Sequence, residues 1–431
     1  MRNLIKTLLI ATFILGVNES SANTLFDSLN SAYLNNSKLN AERAKLRATI
    51  EGKGEALSEF KPSITISGYI SEQDNTGTEG VAESNYSPSE KSLLIEQKIF
   101  QGFGGVANLK KEKYEFSLSQ FKLKKIEQEI LLAAAEVHTD YLLNQKKVVI
   151  NNINIDLLER QVETDQARLE KGEIGLTDLA QSESSLAGAR AKLIAAENDL
   201  ITNKTNFEKI IGKNPSQNIT DDIKEADLQL PKNLAEAYVI SDKENPDLKI
   251  ASLEYKKSEQ DIIIARSDLS PSATLSYEIA EQDNFSSTVE KRTQQTVKAT
   301  ASWPLYSGGS NISNLKKKKE LRNQKKLLLQ DSKKTIKTTV ANAWSVFQSS
   351  GSVLDSIRSQ VKAAEIANEG ITQEYETGGD RTTLDVIQSR AILLEARLNL
   401  ASSERNFLLS QFKLLSAMGH LTADHLNLKS E

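Results

Sequence analysis

The 431-residue chain contains no cysteine, only 7 prolines, 3 histidines and 6% aromatic residues. Without cysteine there is no disulfide framework, no thiolate nucleophile and no Cys-ligated metal site. His138, His420 and His425 are scattered, which gives neither a His-rich metal centre nor a Ser-His-Asp triad. Composition therefore points away from an enzyme, and no cofactor or metal is expected. The formal charge of −4 argues against nucleic acid as a main partner. No stretch approaches the roughly 18 apolar residues of a membrane-spanning helix.

What is present begins with a leader. Arg2 and Lys6 precede the apolar run Leu8 to Val17, and Ser20-Ser21-Ala22 supplies small residues for cleavage. A signal peptide over 1–22 is expected, and with it export. No cysteine follows to carry a lipid anchor.

Internal similarity sets the architecture. Pro62-Ser-Ile-Thr-Ile-Ser-Gly-Tyr-Ile-Ser-Glu-Gln-Asp-Asn75 reappears as Pro271-Ser-Ala-Thr-Leu-Ser-Tyr-Glu-Ile-Ala-Glu-Gln-Asp-Asn284, identical at 9 of 14 positions. Asn108-Leu-Lys-Lys111 matches Asn314-Leu-Lys-Lys317, Asp178-Leu-Ala-Gln-Ser182 matches Asp385-Val-Ile-Gln-Ser389, and Gly212 matches Gly419. Offsets of 206 to 209 residues, nearly constant along the chain, mean duplication. Two structural repeats are expected, 23–230 and 231–431.

The prolines lie at 62, 88, 215, 231, 246, 271 and 304, leaving 89–214 and 305–431 free of them. A helix interior excludes proline at about 3 kcal/mol, so each segment has room for two long helices. Glycines mark the turn between them: Gly172 and Gly175 near 172–177, then Gly378 and Gly379 near 378–384. A helix from 106 to 171 would reach roughly 100 Å.

Heptads pair these helices. Leu179, Leu186, Leu193, Leu200 and Phe207 recur every seven residues, as do Val386, Leu393, Leu400, Phe407, Leu414 and Leu421. Leu109, Phe116, Leu123, Ile130 and Val137 repeat the pattern in the preceding helix. Small residues three positions on, such as Ser182, Ala189, Ser389 and Ala396, allow close antiparallel coiled-coil packing.

Two hairpins with period two interrupt the helices. In 63–71, Ile64, Ile66 and Ile70 alternate with Thr65, Ser67, Tyr69 and Ser71. In 272–280, Ala273, Leu275, Tyr277 and Ile279 alternate with polar residues, and 92–100 and 296–303 read alike. Leu94 falls on the polar face and Gln97 on the apolar one. About nine residues is the length of a tilted strand crossing a bilayer. The stretches Thr76–Lys91 and Phe285–Gln295 read as solvent-exposed loops, and aromatics (Phe60, Phe100, Phe103, Trp303, Tyr306) sit near strand ends. A soluble two-hairpin cap over a helical bundle is the plainer alternative. Four strands cannot close a barrel of the eight or so that a bilayer requires. If these strands are membranous, several chains share one barrel, and three chains would give twelve strands.

With Asn245-Pro246-Asp247-Leu248, the Pro-Ser strand starts at 62 and 271, Leu305-Tyr306-Ser307-Gly308-Gly309, and Tyr375-Glu-Thr-Gly378 leading to Arg381-Thr-Thr-Leu-Asp385-Val386, the chain resembles the TolC family of outer-membrane efflux and type I secretion channels. Ala396-Arg397 and Gly419 complete the match. The resemblance implies an α+β membrane protein: a homotrimer with a shared 12-stranded β-barrel in outer-membrane lipid, standing on a long antiparallel coiled-coil tunnel in the periplasm. Residues 213–232 and the C-terminal tail would form a belt. The glycine turns would lie at the tunnel tip, where a periplasmic adaptor (membrane fusion) protein and an inner-membrane pump or ABC transporter dock. Such a protein is a conduit, with cargo chosen by the pump.

The family closes its tunnel by links between tip helices, and the matching residues here are Asp178, Tyr375 and Arg381. Asp178 and Asp385 equally suit helix capping, since acids favour helix N-termini. The resemblance also places Asp385 at the narrowest point, where three copies would form an acidic ring with pKa values raised by mutual repulsion. Gln388 stands where the relative carries a second aspartate, which weakens that ring. The second turn is one residue longer than the first, leaving the pairing of Tyr375 open by one position.

Two motifs mislead. Gly102-Phe-Gly104-Gly-Val-Ala107 fits a dinucleotide fingerprint, but no return strand follows and Gly308-Gly309-Ser310 loses it. Lys316–Lys319 with Lys110–Lys113 read as a solvated helix face below the membrane. The competing reading of the whole is an exported coiled-coil structural or adhesive protein with no pore.

Overall fold

The computed structural model describes residues 24–75, 84–216, 219, 228–286, 289–377 and 380–428. The expected leader, Gly378, Gly379 and much of the first hairpin's tip lie outside the described residues.

Helix starts follow their capping side chains. Thr24 and Asp27 form a capping box that opens α1 (Leu25–Asn35), and the Asn36 side chain accepts from Lys38 N and Leu39 N to start α2 (Ser37–Ser58). The short strands β2 (Gln73–Asn75) and β3 (Ser84–Tyr86) extend the hairpin formed by β1 (Ser63–Ile70) and β4 (Ser89–Gln101). Then come α3 (Gly104–Glu170) and α4 (Leu176–Ile211). The second copy repeats the order with α5 (Leu234–Glu244), α6 (Pro246–Ser267), β5 (Ser272–Ser286), β6 (Val289–Ser302), α7 (Ser310–Glu376) and α8 (Thr383–Met418). Matching helices have equal lengths: 11, 22, 67 and 36 residues in both copies. At about 1.5 Å per residue, α3 and α7 each run roughly 100 Å. No helix is long and apolar enough to cross a membrane, among the described residues.

The four principal strands form one antiparallel sheet in the order β1-β4-β5-β6, so β1 and β6 are its two edges. Register separates the faces. Ile64 and Ile66 lie opposite Ile95 and Leu93, which lie opposite Tyr277 and Ile279, which reach Val297 and Gln295. The reverse face carries Thr65, Leu94, Glu278 and Thr296 in one row, and Glu96, Ser276 and Lys298 in another. Leu94 is thus an apolar residue on a polar face, as its parity requires. A register shift between Lys98 and Phe100 sets Phe100 opposite Ala273, which keeps an aromatic on the apolar face despite the odd spacing.

The second hairpin is longer than its alternation predicts. Val289 to Gln295, expected as loop, belongs to β6, and β5 continues to Ser286. Polar residues there pair in register, Glu281 with Thr293 and Asp283 with Lys291. Ladder hydrogen bonds need no apolar face, so the hairpin continues after the hydrophobic alternation stops.

The largest core lies midway along the helices. Leu29, Ala32, Leu131, Ala134, Phe207, Ala237, Phe412, Leu415, Met418 and Leu421 cluster there. Helices α1 and α5 contribute to it beside the expected tail and Leu228. Gly419 ends α8 at φ +84°, and a Cβ on it would lie 2.5 Å from the Asn245 Cα, so only glycine lets the α5–α6 corner seat there.

Candidate functional site at the helical tip

At the end of the long helices, α3 turns through Gly172 (φ +74°) into α4, whose first turn is closed by Asp178 Oδ2 accepting from Gly175 N at 3.1 Å. Thr382 and Asp385 make the matching box at the start of α8, with Thr382 N to Asp385 Oδ2 at 2.9 Å and Asp385 N to Thr382 Oγ1 at 3.2 Å. Of the two readings open for Asp178 and Asp385, capping is the one made within a chain.

The centre of the site is Asp165, which sequence reasoning missed. It is fully buried, and its carboxylate accepts three side-chain bonds: from Tyr375 Oη at 2.8 Å, Ser182 Oγ at 2.5 Å and Gln161 Nε2 at 2.9 Å. The Tyr375 hydroxyl also meets Thr383 Oγ1 at 3.0 Å. One carboxylate therefore joins α3, α4 and α7, and the Tyr375 hydroxyl carries the link on to α8. Three donors meet the cost of burying it, which an unpartnered carboxylate could not bear. Arg168 lies over the Tyr375 ring, 4.5 Å from guanidinium carbon to centroid. Burial raises the Tyr375 pKa, so the phenol stays protonated and donates at neutral pH.

The other sequence candidates fall elsewhere. Within the chain, Tyr375 is partnered by Asp165 and not by Asp178. Arg381 pairs with Glu374, Nε to Oε2 at 2.6 Å, on the exposed surface. Asp385 lies half-buried in the first turn of α8, and Gln388 lies exposed about one turn further on. The Asp385 pKa is lowered, first by the Thr382 N–H, then by the Thr382 hydroxyl and by Arg381. This shift belongs to the cap within one chain; mutual repulsion would act only between copies in a ring.

No group of three His, Asp or Glu side chains is placed to hold a metal ion, among the described residues. Gly104 and Gly105 begin α3 in the bend from β4, against Ser267 and Glu59. Sterics account for those glycines.

A sheet with one apolar face, raised on 100 Å coiled coils, is the shape that the comparisons recognise. The sequence model of the outer membrane efflux protein family matches residues 28–213 and 238–420, one stretch in each copy. The chain belongs to that family. It is 25% identical over 407 residues to the outer membrane efflux protein BepC of Brucella suis, covering 94% of this chain and 87% of the relative. With the outer membrane protein TolC of Vibrio cholerae it shares 24% identity over 416 residues, 93% of this chain and 92% of the relative. Among solved structures, CusC superposes with a TM-score of 0.82 at 15% identity, over 93% of this chain and 92% of that one. The Campylobacter jejuni CmeC outer membrane channel gives 0.82 at 14%, over 92% and 86%. The channel is thus an outer-membrane efflux protein with a periplasmic helical tunnel, and its family is made up of channel proteins. The pore-free adhesive reading is not supported.

Proposed function

We propose that three copies of this chain build one closed barrel and one tunnel, and that the tip is the gate of an exit duct. The observation that carries this is the sheet: one apolar face, one polar face and two unpaired edges, β1 and β6. Ile66 and Ile70 are 81% and 84% exposed in the single chain. Lipid tolerates neither an open backbone edge nor a lone four-stranded sheet, so β6 of one copy must pair with β1 of the next. Three copies supply twelve strands, within the range of closed barrels. The polar face then lines a water-filled lumen.

The channel works passively on this reading. A periplasmic adaptor and an inner-membrane pump or ABC transporter engage the tip and supply the energy. Opening the duct means parting the α7–α8 coil from the α3–α4 coil, and the Asp165–Tyr375 bond opposes that movement. One ring of three Asp385 carboxylates and the three Arg381–Glu374 pairs stand at the mouth, where they act on passing ions.

The cysteine-free chain allows a direct test. Ser87→Cys and Glu290→Cys, at the hairpin ends, and Gly175→Cys, at the tip, are exposed in intact cells to a membrane-impermeant maleimide. Labelling of the first two, with Gly175→Cys reacting only after the outer membrane is permeabilised, is expected. If none reacts before permeabilisation and all react after it, the protein is wholly periplasmic and the barrel reading fails.

A further inference from the structure

The helical pairs α3–α4 and α7–α8 meet along a seam between α3 and α8, and polar ties cross it at intervals. Arg405 reaches Asp140 at 2.7 Å, and Lys146 reaches Glu404 at 3.0 Å, both near the central core. Nearer the tip, Arg390 Nη1 donates to the Leu157 carbonyl oxygen at 3.1 Å. Tyr375 and Asp165 follow eight residues further along α3, about 12 Å on.

Arg390 is unlike a solvated surface arginine. It borders a small cavity whose wall includes Leu157, Leu393 and Leu394 and also Asn154, Asn368 and Arg397. There it meets a backbone oxygen that already serves its own helix. Burial lowers its pKa, while Glu376, Asp165 and Tyr375 oppose that shift. Guanidinium keeps its charge under such conditions, so the cation persists in the seam. Asp165 accepts only from neutral donors, and Arg390 supplies a positive charge on the opposite helix. Arg397, one heptad on, offers a contrast: it binds Glu365 at 2.8 Å, inside the α7–α8 coil.

We propose that Arg390 is a second gate link, a positioning residue that holds α8 against α3 above the Asp165–Tyr375 bond, so that the coils part in two stages. Breaking the tip bond alone frees only the last turns. Full opening requires the Leu157 carbonyl to be released as well. The proposal rests on the tip being the gate, and the test keeps the two apart.

Single-channel conductance is measured in planar bilayers for the full-length channel, Tyr375→Phe, Arg390→Gln, the double variant and Arg397→Gln. Tyr375→Phe tests the gate itself: unchanged conductance sinks the gate reading. With that variant opened, adding Arg390→Gln is expected to raise the open population a further tenfold or so, the loss expected for one charge-assisted hydrogen bond. Arg390→Lys should recover part of the closure, and Arg397→Gln should add nothing. A double variant that conducts like Tyr375→Phe overturns the role of Arg390.

Should Arg390→Gln fail to assemble, the reverse experiment decides. Asn154→Cys with Arg390→Cys, in the Tyr375→Phe background, is bridged across the same seam by a short bis-maleimide. Bridging is expected to bring conductance down from the level of the unbridged channel, which lacks both links, to that of Tyr375→Phe. Bridged channels that stay as open as the unbridged ones refute the two-stage seam.

Discussion

Tyr375 donates to Asp165 at 2.8 Å across 210 residues of sequence, and in doing so ties the second copy of the repeat to the first. The donor is the last buried residue of α7, and the acceptor lies in the last two turns of α3. Tyr375→Phe removes a hydroxyl but keeps the ring under Arg168. A loss of about 0.5–1.5 kcal/mol per chain is expected. Because Asp165 retains Ser182 and Gln161, the chain should fold normally and conduct more. A slightly lowered melting temperature with raised conductance checks both halves of that statement.

Asp165→Leu is expected to do the opposite kind of damage. It leaves the Ser182 hydroxyl and the Tyr375 hydroxyl buried without their acceptor, at about 1–3 kcal/mol for each unsatisfied group. Lowered thermal stability by circular dichroism, larger than that of Tyr375→Phe, is the expected outcome. Asp165→Asn, which keeps one acceptor oxygen, should fall between them.

The sheet faces make a paired prediction. Ile95→Lys puts a charge on the apolar face, at roughly 2–4 kcal/mol near the bilayer midplane. Leu94→Lys, one residue away, adds its charge to the face that already carries Glu278 and Lys298. Insertion into outer membranes should collapse for the first and persist for the second. Equal behaviour would mean that the faces are assigned wrongly.

Asp385 gives the channel a pH signature. Its carboxyl pKa is depressed by the Thr382 N–H and hydroxyl of the cap, so the charge is lost only at a pH below that at which an ordinary aspartate titrates. The cap's contribution to stability has the same sign: present above the ordinary aspartate range, lost as pH falls through the folded pKa. Cation preference, read from reversal potentials, should hold steady from neutral pH to about 4.5 and drop in Asp385→Ala at all pH values. A decline in the native channel between pH 7 and 5 would instead show that repulsion in the ring overrides the cap.

Gly419→Ala tests the belt. The new Cβ meets the Asn245 backbone at 2.5 Å, on top of a left-handed backbone that costs about 1–2 kcal/mol for any other residue. A clear fall in melting temperature is expected, since the clash is with backbone and cannot be relieved by a rotamer.

Duplication, the long helices and the strand faces were all legible in the sequence, because each is a periodic signal written over many residues. Hairpin ends were not, since polar ladders carry no alternation to mark where pairing stops. Asp165 was within reach. The register through Leu109, Phe116, Leu123, Ile130 and Val137 continues through Asn144, Asn151, Leu158 and Asp165, and all four of these are buried. An acid on a coiled-coil seam is the signal that could have found it. Its partner could not be read in the same way, because Tyr375 reaches it from another repeat through a contact that no local pattern encodes. Arg390 lies beside its seam instead of on it, and only the folded chain brings it to Leu157.

The equal lengths of the matching helices carry a consequence for how such a chain can change. One residue inserted into α3 alone would rotate everything beyond it by about 100° and displace it by about 1.5 Å. Asp165 would then face away from Tyr375, and the coil's ridges would miss their grooves. A lasting change of reach must come in whole heptads and in all four long helices at once. The distance from barrel to tip is therefore a gauge that single mutations cannot adjust, and any machinery meeting the tip would inherit a fixed height to build toward.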